Sequence, residues 1–532
     1  MLLVLLLAAL SARPLPAQTQ ALAQAEEMSS GDPLALARFD PLEASIAELQ
    51  VAMGSGRLTA RELVDYYLAR IARYDPALNS IATLNPTARS RADALDLERA
   101  ESGPRGPLHG IVLLVKDNFE TRGMPTTAGS VLLHGFQPEQ DAEVVKRLRS
   151  AGAILLGKTN MHEFAYGITT VGSGFGVTRN PYDVTRNPGG SSGGTAAAVT
   201  ANFAVAGLGT DTCGSIRIPA AHNNLVGLRG TQGLVSRSGI VPLSHTQDIA
   251  GPIARSVADL ALVLDAIAGF DPKDEQTAAS YGNQPKTYQD ALRAGDLAGI
   301  RIGVLEDLLI VEPADMEVAD VFGAAMSEMQ SLGATVERIH IDGFEALQSS
   351  RVDGFFVLIH EFKTDINAYF ASHPNAPVAS LDEILLSGQY DPAIGESLRL
   401  SQAMDERSDQ DYLAELAHRE RFRLAVLAAM AKQKLDVLAY PTLRRTAALI
   451  DAAQPGSNCR LSANTGLPAL SVPAGFTPAG LPVGLELLAR PWREEVLLGI
   501  GHAYERSTRH RRAPVLGRTA AKAAPVEEAQ HE

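Results

Sequence analysis

Residues 187–217, NPGGSSGGTAAAVTANFAVAGLGTDTCGSIR, constrain the chain more than any other stretch. Two glycine-flanked serines, Ser191 and Ser215, stand at the ends of an Ala-rich run. Thr195–Ala201 reads as helix, Phe203–Leu208 as a buried strand, and Gly209–Ser215 as a loop of small residues that follows it. Such a loop can turn successive backbone N–H groups into one concavity, which is the geometry an oxyanion hole requires. The bland alternative for Ser215 is a tight turn with a capping serine. Lys116 belongs with the two serines because it ends another apolar run, Ile111–Val115, which also reads as a buried strand. A lysine there either reaches solvent or, if enclosed, has its pKa lowered, because burial disfavours the ammonium form. A neutral lysine can accept a proton, and serine is a poor nucleophile until a neighbouring base takes its proton.

Other readings of the Gly-rich stretches fail on their own residues. No G-x-x-x-x-G-K-[ST] occurs, so no Walker A loop is present. Gly207-Leu208-Gly209 lacks the third Rossmann glycine, because position 212 is Thr, and His162-Glu163 misses H-E-x-x-H, because position 166 is Tyr. Gly189–Gly193 satisfies G-x-S-x-G, but a nucleophile elbow needs a strand before it, and residues 182–188 are turn-like. Two cysteines, Cys213 and Cys459, cannot make a disulfide framework, and no Cys/His spacing reads as a zinc site. No cofactor or metal is expected. A formal net charge of −14 argues against a broad phosphate-binding surface and hence against a nucleic-acid partner.

Along the chain, Met1–Ala12 is apolar but far shorter than the roughly 20 residues that span a bilayer. Residues 1–25 read as a signal peptide without the usual basic start, which implies a periplasmic or secreted protein, or a cytoplasmic one if the leader does not function. Residues 26–40 read as linker. A Thr59–Glu62 capping box opens a helix near 59–74, and a polar helix covers 86–100. Asp141 is placed to cap a helix over Val144–Leu148, which leads into a strand at Ile154–Leu156. Pro252–Gly269 reads as one helix. An αβ unit follows over 300–341, then a mostly helical stretch, a strand at Asp436–Tyr440, a hairpin over 470–488 and a last helix at Arg490–Arg506. The tail from Thr508 reads as disordered. Strands alternating with helices at both ends predict an α/β class fold: one large α/β/α sandwich on a mixed, twisted sheet, with a helical insertion at about 340–435.

Several of these segments resemble the amidase signature family. Leu108–Asn118 is similar to its lysine motif, Gly157–Met161 to its next block, and Gly189–Gly194 and Gly209–Arg217 to the two halves of its signature; Pro219–Ala268 and Ala463–Glu505 continue the match. The intervals from Lys116 to Ser191 and from Ser191 to Ser215 resemble the family spacing. The resemblance implies an amidase domain over 41–515, followed by a tail at 516–532. It implies a Ser–cis-Ser–Lys triad: Ser215 the acylated nucleophile, Ser191 the proton relay on a cis peptide bond, Lys116 the neutral base. Thr212, Cys213 and Gly214, with Ser215, would supply oxyanion donors. Cys213 stands where the family usually has Gly, Val112 where it often has Pro, and His162 where an acidic residue is common. The expected activity is hydrolysis of a carboxylic amide to carboxylate and ammonia or amine, on a small-molecule amide or peptide amide, by a monomer or homodimer without stable membrane association. Thr246-Gln247-Asp248 before Ile249-Ala250-Gly251-Pro252 looks closest to bacterial peptide-amide amidases. The alternatives are the glutaminase subunit of a tRNA-dependent amidotransferase, an aryl-amide, carbamate or ester hydrolase, a non-catalytic binding protein on the same scaffold, and a cysteine hydrolase using Cys213.

Overall fold

Among the described residues eleven strands form one mixed sheet, in the order β1 (Ile81–Leu84), β3 (Ile154–Thr159), β2 (Val112–Lys116), β4 (Ala206–Asp211), β6 (Ile249–Ala254), β5 (Val226–Arg229), β10 (Ala469–Phe476), β11 (Pro482–Leu488), β9 (Val437–Pro441), β7 (Arg301–Leu305) and β8 (Thr335–Ile339). This arrangement comes from a computed structural model, which describes residues 34, 36, 38–293, 296–348, 355–405 and 409–517. The expected leader, most of the expected linker and residues 518–532 lie outside the described residues. The first part of the chain carries α1 (Ile46–Gly54), α2 (Ala60–Leu78), β1 (Ile81–Leu84), α3 (Ala88–Ser102), β2 (Val112–Lys116), α4 (Glu143–Ser150), β3 (Ile154–Thr159), α5 (Gly193–Thr200), β4 (Ala206–Asp211), α6 (Arg217–His222), β5 (Val226–Arg229), β6 (Ile249–Ala254) and α7 (Val257–Ile267). Then come β7 (Arg301–Leu305), α8 (Met316–Ser331), β8 (Thr335–Ile339) and a helical stretch of α9 (Phe344–Gln348), α10 (Phe356–Ala371), α11 (Leu381–Ser387), α12 (Gly395–Gln402) and α13 (Asp409–Lys432). The chain returns to the sheet with β9 (Val437–Pro441), α14 (Arg460–Thr465), β10 (Ala469–Phe476), β11 (Pro482–Leu488) and α15 (Glu494–Thr508).

Side-chain alternation explains how helices cover both faces of the sheet. On β10, Leu470 and Val472 point to one face, where Gly501 of α15 lies so close that a Cβ would come within 2.7 Å of Leu470. Ser471 points to the other face, beside Ala221 of α6. Leu208, Leu470, Leu485, Leu497 and Tyr504 share the main core, while Ala196, Val199, Ile216, Ala220 and Ile253 fill a smaller one under α5 and α6.

Three strands position the site. β2 runs parallel to both β3 and β4, so their C-terminal ends emerge side by side. In α/β sheets this is the edge where ligands bind. Here β2 ends at Lys116 and β4 at Asp211. Gly207 and Gly209 let α5 lie directly on β4: a Cβ at 207 would come within 2.6 Å of Thr195 Cγ2, and one at 209 within 2.6 Å of Ser192 Oγ.

The structure departs from the sequence expectations in five places. The strand expected at 203–208 is β4, Ala206–Asp211, so Thr210 and Asp211 are sheet residues rather than loop. The single helix expected over 252–269 is split: Ile249–Ala254 is β6, and α7 starts at Val257 behind the Ser256 cap. Pro252 is tolerated in β6 because it faces Leu208, and the β5 ladder stops at Gly227–Ile253, where a missing N–H does no harm. Asp141 does not cap α4; its Oδ1 accepts the Arg122 N–H at 2.8 Å. An earlier helix, α1, opens with its own Ser45–Glu48 capping box. Residues 509–517 are held on the body: Arg511 donates to Glu43 Oε1 at 2.8 Å, to the Thr200 carbonyl at 3.1 Å and to the Asn224 carbonyl at 3.4 Å.

Arg511→Ala is therefore expected to lower stability by about 1–3 kcal/mol, since it takes the counter-charge from Glu43 and an N–H donor from two carbonyls of a largely buried site. The midpoint of urea unfolding measures it; an unchanged midpoint would contradict the anchoring.

Candidate active site

Lys116 is fully buried, and its Nζ lies 2.7 Å from Ser191 Oγ and 2.6 Å from Thr210 Oγ1. Among the described residues no carboxylate lies within ion-pair distance of it. Burial pulls its pKa from 10.5 down to about 7, against the opposing charges of Asp248 and Asp211. At neutral pH the amine can thus accept the Ser191 O–H while giving an N–H to Thr210. Asn118 Nδ2 also donates to Thr210 Oγ1, at 3.1 Å, which fixes that hydroxyl.

Ser191 follows a cis peptide bond, Gly190–Ser191. Its carbonyl accepts the His162 N–H at 3.0 Å. The Gly-rich loop around it is framed by Thr170, whose hydroxyl donates to the Gly189 carbonyl at 2.7 Å and accepts the Gly193 N–H at 3.1 Å. The second serine loop is tied to the first: Ser192 N–H donates to the Ser215 carbonyl at 3.2 Å.

Asp211 shapes the loop that carries Ser215. Its Oδ1 accepts the Gly214 N–H at 2.6 Å, and its Oδ2 accepts the Ile216 N–H at 3.2 Å. Burial pushes the Asp211 pKa up, but the Arg217 and Arg229 guanidinium groups outweigh that and hold it well below the usual carboxylate range. Arg217 also pairs with Glu486, whose Oε1 accepts the Tyr440 hydroxyl at 2.9 Å. Thr212 is held from the other side, its hydroxyl donating to Asp248 Oδ1 at 2.6 Å; Asp248 Oδ2 accepts the Leu243 and Ser244 N–H groups at 2.7 and 2.9 Å.

Two expectations change here. Gly214 gives its N–H to Asp211, so its part in the loop is conformational: it takes φ 84°, where a side chain would be strained. The backbone N–H groups of Thr212, Cys213 and Ser215 stay as candidate oxyanion donors. The positive φ of this loop falls on Gly214 and not on Cys213. Cys213 is bonded to Cys459, S–S 2.07 Å, so it offers no thiol in this state, which removes the cysteine-hydrolase alternative. His162 acts on Ser191 through its backbone, a contact the sequence did not suggest.

The other buried lysine, Lys158, is 3.0 Å from Asp117 and donates to Thr126 Oγ1 at 2.9 Å, a structural ion pair. A cavity of about 300 Å³ opens beside Thr210, lined also by Asp248 and Ala250 and, from α10 and its C-cap, by Asp365, Tyr369 and Ser372. The helical insertion therefore supplies a wall of this cavity. His245, Glu361 and Asp365 are the residues that could hold a metal ion among those described. Their atoms are already bonded to one another and to Ser244, Thr246 and Tyr412, which makes them a clamp between the segment before β6 and α10.

Thr210, Asp211, Asp248, Arg229, Glu486 and Cys459 carry the site's scaffold without having been expected. Glu486 had a signal: it is a carboxylate in the middle of an apolar strand, which demands a buried partner.

The amidase family model matches residues 62–498. The chain belongs to the amidase signature family. It is 39% identical to native peptide amidase from Stenotrophomonas maltophilia, with a TM-score of 0.81, covering 90% of this chain and 99% of that one. It is 32% identical to an amidase family protein from Bacillus anthracis, TM-score 0.83, with 93% and 97% covered. It is also 36% identical over 492 residues to one of the chloroplastic/mitochondrial glutamyl-tRNA(Gln) amidotransferase A subunits, that of Sorghum bicolor, covering 88% of this chain and 90% of that one. It is thus an amidase signature hydrolase, on the mixed-sheet α/β fold of that family.

Asp211→Asn should remove the charge that balances Arg217 and Arg229, and cost about 3–5 kcal/mol of stability at neutral pH. Because the folded pKa of Asp211 is depressed, this contribution persists down to about pH 4 and is lost only below it. Urea denaturation of both proteins at pH 7 and at pH 3 tests the difference, which should shrink in acid.

Proposed function

We propose that this amidase signature hydrolase cleaves a carboxylic amide through an acyl-enzyme on Ser215, with Ser191 as relay and Lys116 as base. The observation that carries the reading is the buried Lys116 Nζ at 2.7 Å from Ser191 Oγ, with a pKa brought down to about 7. A base with that pKa is half deprotonated near neutrality, where general-base catalysis is most efficient. In the forward step Ser215 Oγ attacks the amide carbon as its proton passes to Ser191 and the Ser191 proton passes to Lys116. The oxyanion is met by N–H groups of the 212–215 loop. It collapses as Ser191 returns a proton to the leaving nitrogen, releasing ammonia or an amine. Water enters along the same relay and frees the carboxylate.

Peptide amides are the favoured substrate class, supported by the 39% identity to a peptide amidase over 90% of this chain. The second reading, a glutaminase subunit, is favoured by the 36% identity to amidotransferase A subunits. The Cys213–Cys459 disulfide weighs against it, since structural disulfides belong to oxidising compartments. The same bond supports export of this chain, with the apolar start as its leader. Among the described residues no helix is long and apolar enough to cross a membrane.

The isolated chain is expected to release ammonia from a C-terminally amidated dipeptide faster than from free glutamine. The reverse order would favour the second reading. Ser215→Ala should lower kcat/KM by about 10⁴-fold or more with an unchanged circular dichroism spectrum; a folded, active variant would refute the mechanism. Only neutral Lys116 can act as base, so kcat/KM should fall about tenfold per pH unit below about 7. A profile flat to pH 5 would exclude that role.

A further inference from the structure

Thr212, Cys213 and Gly214 are held in three different ways. Thr212 is fixed through its hydroxyl on Asp248, and Gly214 through its N–H on Asp211. The backbone of Cys213, between them, makes no hydrogen bond to any described residue. Its tether is its sulfur, bonded to Cys459 across 246 residues of sequence.

Cys459 is itself well anchored. It is the N-cap residue of α14, and its carbonyl accepts an Arg217 N–H at 3.4 Å. The preceding Asn458 donates to the Leu308 and Pro441 carbonyls at 3.0 and 2.8 Å and accepts from Arg444 at 2.9 Å. The bridge thus refers Cys213 to β9 and α14. The loop approaches α14 closely: a Cβ at Gly214 would lie 2.7 Å from Cys459 Cβ.

We propose that Cys459 is a positioning residue for acyl transfer: its disulfide holds the Cys213 N–H toward the oxyanion, so that the enzyme works in the oxidised state and loses rate when the bridge is opened. This rests on the assignment of Ser215 as nucleophile. Opening requires a dithiol. One of its thiolates attacks a bridge sulfur, forming a mixed disulfide and releasing the other cysteine as thiolate. The second dithiol sulfur then closes a cyclic disulfide and expels the first cysteine, so two electrons pass to the protein, which takes up two protons as two thiols. Cys213 is then held only through its neighbours, between a Thr212 carbonyl that accepts from Gln247 Nε2 at 3.4 Å and a Gly214 N–H bonded to Asp211, and its own N–H loses the tether that aims it. Asp211 and Asp248 still hold the flanks, so substrate binding persists and the loss falls on kcat.

The test uses the oxidised full chain, with and without dithiothreitol, and the Cys459→Ser variant. Freed thiols are counted by mass after alkylation, and kcat and KM are measured on an amidated dipeptide. In the reduced enzyme and in the variant, kcat should fall about 10- to 100-fold with KM within about twofold, as for partial loss of an oxyanion donor. Reoxidation should restore the wild type, and the variant should ignore dithiothreitol. A lower Tm with kcat within about twofold of the oxidised enzyme would overturn the proposal, leaving the bridge a purely structural staple. If the variant does not fold, the reduced wild type decides. If the folded wild type resists reduction (Cys213 and Cys459 are 7% and 4% exposed), the variant decides. An oxidised wild type without amide hydrolysis would overturn the Ser215 assignment and this proposal with it; equal rates in both redox states would overturn this proposal alone.

Discussion

The buried carboxylate of Asp211 is the interaction on which the site depends. It accepts two backbone N–H groups of the Ser215 loop and faces two guanidinium groups, Arg217 and Arg229. Arg229 belongs to β5, Glu486 to β11 and Tyr440 to β9, so the loop after β4 is referred to three other strands of the sheet. Two carboxylates and two guanidinium groups balance in charge. Their desolvation offsets most of their attraction, so the network adds little net stability relative to an apolar core. What it does is select: any other loop conformation would leave a buried charge unmatched. The Ser215 loop is shaped by electrostatics that operate behind it.

The contrast between two buried lysines follows the same logic. Lys116 and Lys158 lie on the neighbouring parallel strands β2 and β3, and burial lowers both. Lys158 has Asp117 at 3.0 Å, whose charge opposes the shift. Lys116 meets hydroxyls only. A hydroxyl can accept from an ammonium or donate to an amine, so its surroundings tolerate both protonation states. That tolerance is what a group passing protons needs.

Much of this was legible in the sequence wherever the signal was local. The apolar run Ile111–Val115 ending in Lys116 read as a buried strand with a lysine at its end, and β2 is that strand. The Thr59–Glu62 box read as a helix start, and α2 begins there. What the sequence hid was non-local. β6 was lost because Gly251 and Pro252 speak against a strand and the apolar run continues into α7; only pairing with β4 and β5 makes 249–254 extended. Nothing near Cys213 announced Cys459. Thr210 and Asp211 looked like loop because glycines dominate their neighbourhood, yet those glycines are there for the approach of α5. The serines and the lysine were singled out by their local surroundings and grouped only by the resemblance to the family; the groups that hold them came from distant segments.

The closure of Arg511 on Glu43 and on the end of α5 has a mechanical consequence. Thr200 ends the helix whose first residues follow the Ser191–Ser192 pair. The first and last parts of the described chain therefore meet at the far end of the helix that begins at the site. Fraying usually starts at termini that nothing ties down. Here both flanks of the described chain share one clasp, at the far end of the helix that follows Ser191 and Ser192. Opening is thus expected to begin in interior loops of the described fold rather than at these two flanks.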